Sequence, residues 1–179
     1  MKEKADAWQM ELTKITWEFE KLLEDYDLTT LNLKPGPGKW SPMEIIDHLI
    51  QVNASYFPIF QQIIDQKFKT PLLGRLPFYG KKTGEMILAS MNKSTKIKTF
   101  SSWEPAEKMH NNDLKFDFFN KQDQLSNYIQ KMEPYLNQKL MIYSPANKWI
   151  VYPLDTAIEI ILSHEKRHLT QIKNQLIVQ

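Results

Sequence analysis

The sequence predicts an all-α protein, a four-helix bundle with a long crossover loop between its second and third helices, on three observations. Four stretches repeat apolar residues at spacings of three and four, the period of a helix that buries one face. Between the second and third of these, from residue 67 to 115, the period fails, and Pro71, Gly74, Pro77, Gly80, Gly84 and Pro105 punctuate the chain. No internal repeat and no second hydrophobic core are visible, so residues 1–179 read as a single domain, long enough to bury a real core without staples.

The first helix is expected from about Ala5 to Tyr26, where Trp8, Leu12, Ile15, Phe19, Leu22 and Leu23 fall on one face. Pro35, Gly36, Pro37 and Gly38 cannot continue it and form a connector. The second helix opens at Pro42 and runs to roughly Gln66. Ser41 is a suitable N-cap, proline suits the first helical position, and Glu44 stands where a capping box needs it. Pro58 is expected to do no more than kink this helix. Within the crossover a short helix is expected around Gly84 to Met91, and the whole segment is either a cover over a site or a surface excursion.

Leu125, Tyr128, Ile129, Met132 and Leu136 mark a third helix from about Lys121 to Gln138, bent near Pro134. Ser144 to Lys148 reads as a turn and Trp149 to Tyr152 as extended chain. Pro153 then starts the fourth helix, with Asp155 in its first turn, where a carboxylate suits the helix dipole.

Composition narrows the function. The chain has no cysteine, so a metal site has to be built from histidine and carboxylates. A net charge of +2, with lysine and arginine scattered among acids, argues against a nucleic-acid surface. No apolar run approaches the ~20 residues of a membrane span, and the charged start of the chain does not resemble a signal peptide. The expectation is a soluble cytoplasmic protein acting on a small molecule, with homodimer formation left open.

The chemistry concentrates in the fourth helix. His164 and His168 stand four residues apart and so project from one helical face, close enough to share an ion. With Glu165 they spell His-Glu-x-x-His, the zincin signature, in which the glutamate is general base. The usual zincins take a third ligand downstream, yet Leu169 to Gln179 contain no His, Asp or Glu. If there is a third ligand, it lies upstream. His48 sits about two turns into the second helix among Ile45, Ile46 and Leu49, where a buried imidazole needs a partner. His110, beside Asn111 and Asn112 in the crossover, reads as an exposed loop residue, with a distal ligand or substrate contact as its other reading.

Plainer readings stand beside these. A histidine on an apolar face is commonly a hydrogen-bonded core residue, and a pair at this spacing arises by chance on surface helices. Glu165, about 100° round the helix from His164, is a general base or a solvent-facing or ion-paired side chain. Gln51, Val52 and Ser55 on the second helix and Gln171 on the fourth lie one or two turns from the ligands and are candidates to line a substrate pocket. Trp40 and Trp149 are expected to pack in the core or at its rim.

Lys39-Trp40-Ser41-Pro42-x-Glu44-x-x-x-His48-Leu49, His164-Glu165-x-x-His168-Leu169-x-Gln171-Ile172 and the helix order between them resemble the DinB-like superfamily of metal-binding four-helix bundles. The resemblance covers essentially the whole chain. It implies one divalent ion, often zinc or nickel, held by three histidines matching His48, His164 and His168. It also implies a metal-dependent enzyme. Some such relatives transfer low-molecular-weight thiols such as bacillithiol, some use mycothiol in hydrolysis or isomerisation, and many are described only as metal-dependent hydrolases. A thiol S-transferase is the leading expectation, with a hydrolase or a non-catalytic metal-binding or ligand-sensing bundle as alternatives. Three neutral imidazoles would leave the ion's charge uncompensated and a coordination position open, as in catalytic zinc sites. Such an ion acidifies a bound water and ionises a bound thiol. With no cysteine in the chain, that thiol would be a cofactor.

Overall fold

The computed structural model describes residues 2–76, 78–91 and 99–177. Met1, Val178, Gln179 and, within the expected crossover, Pro77 and residues 92–98 lie outside the described residues. The helices are α1 (Lys2–Asp25), α2 (Leu28–Asn32), α3 (Pro42–Ile64), α4 (Tyr79–Met91), α5 (Asn112–Met132) and α6 (Leu154–Ile177). A hairpin of β1 (Met141–Ser144) and β2 (Asn147–Pro153) precedes α6. Single turns of 3-10 helix occupy Leu72–Arg75 and Ser101–Trp103, and a longer one follows α5 at Glu133–Gln138.

The four long helices are the bundle the periodicity predicts. α1 packs against α5 and α6, and α3 packs against the same two. The helices that carry the candidate ligands, α3 and α6, are therefore neighbours.

α3 begins where its cap dictates. The Ser41 hydroxyl accepts the Glu44 N–H at 3.1 Å, and the Glu44 carboxylate accepts the Ser41 N–H at 2.8 Å. Lys34 closes on the same carboxylate at 2.9 Å. Pro58 does not end α3. It faces solvent, while Tyr56, Phe57, Ile59 and Phe60 around it are buried, and this packing outweighs one lost backbone bond.

Two expectations need correction and a third is filled out. α5 starts at Asn112, well before Lys121, because Asn111 caps it and Phe118 is fully buried; Gln122 at a core position had interrupted the apolar pattern. The extended stretch is one arm of a hairpin: Ile142 pairs with Tyr152 and Tyr143 with Val151. Trp149, on the hairpin's outer arm, is 74% exposed and not packed.

The crossover is also more ordered than its prolines suggest. α4 packs against α6 and β2. The approach at Gly84 is close, since a Cβ there would stand 2.6 Å from Thr156 Cγ2 and 3.2 Å from Tyr152 Cβ. This glycine lets the two helices meet, and α4 becomes one wall of a cavity. Among the described residues no helix is long and apolar enough to cross a membrane.

Candidate metal centre and its cavity

α3 and α6 bring three imidazoles to one point. His48 Nε2 lies 3.2 Å from His164 Nε2, and His168 Nε2 lies 3.0 Å from the same atom. Among the described residues these three form the cluster able to hold an ion, with their donor atoms all within 4.8 Å of one another. The pair on α6 follows from its spacing. His48 joins it because α3 is the neighbour of α6 and presents His48 on the facing side.

The outer ring nitrogens fix the tautomers. His48 Nδ1 donates to the Trp103 carbonyl at 2.6 Å, and His168 Nδ1 donates to Gln171 Oε1 at 3.0 Å. Both rings therefore turn an Nε2 lone pair inward. Burial lowers the pKa of His48, opposed by the Trp103 carbonyl. Burial likewise takes His168 down to about 3, helped by His48. His164 keeps an edge towards the cavity but is otherwise enclosed, and desolvation, with His168 and His48 behind it, holds it well below the ordinary histidine range. All three are neutral near pH ~7.

Converging neutral lone pairs repel one another unless a proton or a cation sits between them. A tetrahedral ion with bonds of about 2.0–2.1 Å to nitrogen holds its ligands roughly 3.3 Å apart, close to the separations found here. The residues fit a divalent ion of borderline softness, with His48, His164 and His168 as its ligands and the Trp103 carbonyl and Gln171 as their outer supports.

The cluster opens into a cavity of about 660 Å³ between α3, α6, α4, the hairpin and the Ser101–Trp103 turn. The Trp40 ring, at the other end of the capping box, lies 4.9 Å from that of His48. Val52, Ile160 and Ile161 give apolar wall, and Arg167 adds a guanidinium that also donates to the Ser90 carbonyl at 3.0 Å, tying the end of α4 to α6.

Other expected site residues distribute unevenly. Gln171 and Val52 line the cavity, whereas Gln51 and Ser55 do not. The Ser55 hydroxyl instead accepts the Trp103 indole N–H at 3.2 Å, bracing the residue whose carbonyl holds His48. Glu165 is neither a base in the cavity nor a surface ion-pair partner. It is fully buried on the core side of α6 and accepts from Asn53 Nδ2 at 2.6 Å. Burial raises its carboxyl to about 7, with the Asn53 amide pulling the other way. The ion pairs expected of it go elsewhere: Lys166 pairs with Glu11 and Arg167 reaches the end of α4. His110 is buried, not exposed, and lies outside the metal cluster; Asn32 clamps its backbone through both N–H and C=O at 2.9 Å.

The sequence reading missed Trp103, Tyr56, Tyr152 and Arg167. Trp103 contributes a main-chain carbonyl, which leaves no signature in residue type. Tyr56 falls two turns after His48 on α3, a spacing that could have marked it.

Fold and site together define a four-helix bundle with an open cluster of three histidines able to hold a metal ion. The chain belongs to the DinB superfamily, whose family model matches residues 11–172. It is similar in structure to YfiT from Bacillus subtilis, described as a probable metal-dependent hydrolase with an unusual four-helix bundle topology. That likeness has a TM-score of 0.64 at 16% sequence identity and covers 98% of this chain and 87% of the other. No curated protein matches the sequence.

Proposed function

We propose that this protein is a divalent-metal-dependent enzyme that transfers a low-molecular-weight thiol, bacillithiol or a close chemical equivalent, to an electrophilic small molecule. The observation that carries the reading is the pairing of three inward-facing Nε2 atoms with a largely apolar cavity that, among the described residues, no buried carboxylate lines. A divalent ion, zinc or nickel, supplies a Lewis acid that makes a ligating thiol or water acidic enough to ionise near neutrality. A thiol, already acidic by comparison with water, needs no further base, whereas water gains from one. Glu165, the base that the zincin pattern suggests, faces the core, and Glu104 stands exposed at the cavity's rim.

The chain's own residues do the rest. His48, His164 and His168 hold the ion and stay neutral to do so. The Trp103 carbonyl and Gln171 keep the His48 and His168 rings oriented. Val52, Ile160 and Ile161 keep water away from the reacting sulfur, and a cavity of about 660 Å³ suits a small-molecule acceptor. Hydrolysis is the second reading, favoured by the description of YfiT as a probable metal-dependent hydrolase.

A panel of low-molecular-weight thiols, each with a chromogenic electrophile, separates the two on metal-loaded and chelated protein. Consumption of one thiol that depends on metal and is lost in His164→Ala supports transfer. Equal rates with and without metal, or full activity in His164→Ala, overturn it.

A further inference from the structure

At the far end of the cavity from the histidines lies a second polar group. Tyr56 and Tyr152 both line the cavity, and their hydroxyls meet at 2.7 Å. Ser144 lies on the same wall. Tyr56 stands two turns beyond His48 on α3, about 12 Å along the helix axis. The wall between the two ends is apolar, formed by Val52, Ile160 and Ile161.

A count of protons shows what this group lacks. Each hydroxyl brings one proton and two lone pairs. A pair of hydroxyls uses one of its two protons internally, and among the described residues no other hydrogen bond to either phenol is made. Tyr56 and Tyr152 are 2% and 1% exposed, so the remaining proton can be met only from the cavity that they line. A buried donor without an acceptor is costly, and native structures seldom keep one without a reason.

We infer that the Tyr56–Tyr152 pair is a recognition site for the distal end of the substrate, donating its unspent proton to a neutral carbonyl-type oxygen while the sulfur end sits at the histidines. The inference rests on the thiol reading above and adds a shape to it: an elongated substrate with an apolar middle and an oxygen acceptor at its far end. Burial raises both phenols, Tyr152 to about 12, so the pair remains a donor across the physiological range. Among the described residues the cations that line the cavity, Lys39 and Arg167, adjoin Trp40 and His168 in the chain, at the histidine end, which favours a neutral oxygen over an anionic one at the tyrosines.

The test uses cobalt-loaded protein, in which thiolate-to-cobalt charge-transfer absorption reports binding without turnover. Two series are titrated: ω-mercapto methyl esters of increasing chain length, and alkanethiols of the same lengths that lack the oxygen. The esters are expected to bind about fivefold more tightly than the matching alkanethiols at one intermediate length and no better at the others. Tyr56→Phe/Tyr152→Phe is expected to erase that preference and leave alkanethiol binding unchanged. Removing both hydroxyls of a pair is gentle on the fold, and the length series on the unmodified protein decides the matter if the double variant does not fold. No ester preference at any length, or one that survives in the double variant, overturns the recognition site and leaves the thiol reading standing. Absence of a charge-transfer band with every thiol overturns the thiol reading and this inference with it.

Discussion

Two polar clusters share α3 and α6, the second joined by Gln122 of α5, and they are built on different terms. Facing the cavity, His48, His164 and His168 turn three nitrogens towards one point, and two of the rings are held from behind by the Trp103 carbonyl and Gln171. Facing the core, Asn53, Gln122 and Glu165 are sealed in. One bond of 2.6 Å joins Asn53 to Glu165, while Asn53 Oδ1, Glu165 Oε2 and both amide atoms of Gln122 have no partner among the described residues. Desolvation acts on both and moves them oppositely, lowering the histidines and raising the glutamate to about 7, because each group is pushed to its neutral form. Neighbouring residues in sequence, His164 and Glu165, thus end on different faces of one helix, about 100° apart. Unspent lone pairs that converge beside an opening point to a ligand; those dispersed in a closed core are a cost to stability.

If this division is right, variants on the cavity side change metal binding and variants on the core side change stability. The largest effect is expected from His164→Ala, which removes the central ligand. Metal affinity should fall by more than the 10–100-fold typical of losing an outer partner, with metal-dependent turnover lost in parallel. Gln171→Leu comes next. It frees the His168 ring and should weaken metal binding by about 10–100-fold in a chelator competition, with little change in unfolding.

Glu165→Gln tests the core side. The native carboxyl holds its proton to about 7, against 4.5 as its ordinary value, so between these values the folded chain binds more protons than the unfolded one. Wild-type stability from this group is full at low pH and is lost as pH rises through that window. Glutamine escapes the penalty, and its amide can also donate to one of the orphaned oxygens. The variant should therefore gain on wild type by up to roughly 3 kcal/mol between about pH 5 and pH 8 in urea unfolding, with its metal content intact. The buried histidines work in the other direction, since unfolded chains take up protons below 6.5 that the folded one refuses; they are common to both proteins and cancel in the difference. A difference independent of pH, or loss of metal in Glu165→Gln, would place this carboxyl back with the site. Ser55→Ala should have the smallest effect. It removes only the 3.2 Å bond to the Trp103 indole and should shift metal affinity no more than a few-fold, about 1 kcal/mol.

What the sequence disclosed was local. The capping box at Ser41, the four apolar stripes and the spacing of His164 and His168 depend on residues within a turn or two of each other, and all reappear in the structure. What it hid was set by packing between distant segments. The start of α5 was masked by Gln122, a polar residue at a core position. β1 was invisible because a four-residue strand has no meaning until β2 pairs with it. Helical geometry placed Glu165 off the ligand face, but only the position of α5 decides whether that face is wet or dry. The Trp103 carbonyl, which orients His48 from far along the chain, belongs to no residue pattern.

The central claim is that His48 of α3 completes the pair on α6 to make one metal site. Elemental analysis of the purified protein beside His48→Ala and His168→Ala tests it most directly. About one divalent ion per chain is expected in the wild type, with both variants reduced to a similar small fraction. Full retention of metal in His48→Ala, while His168→Ala loses it, would contradict the three-histidine centre.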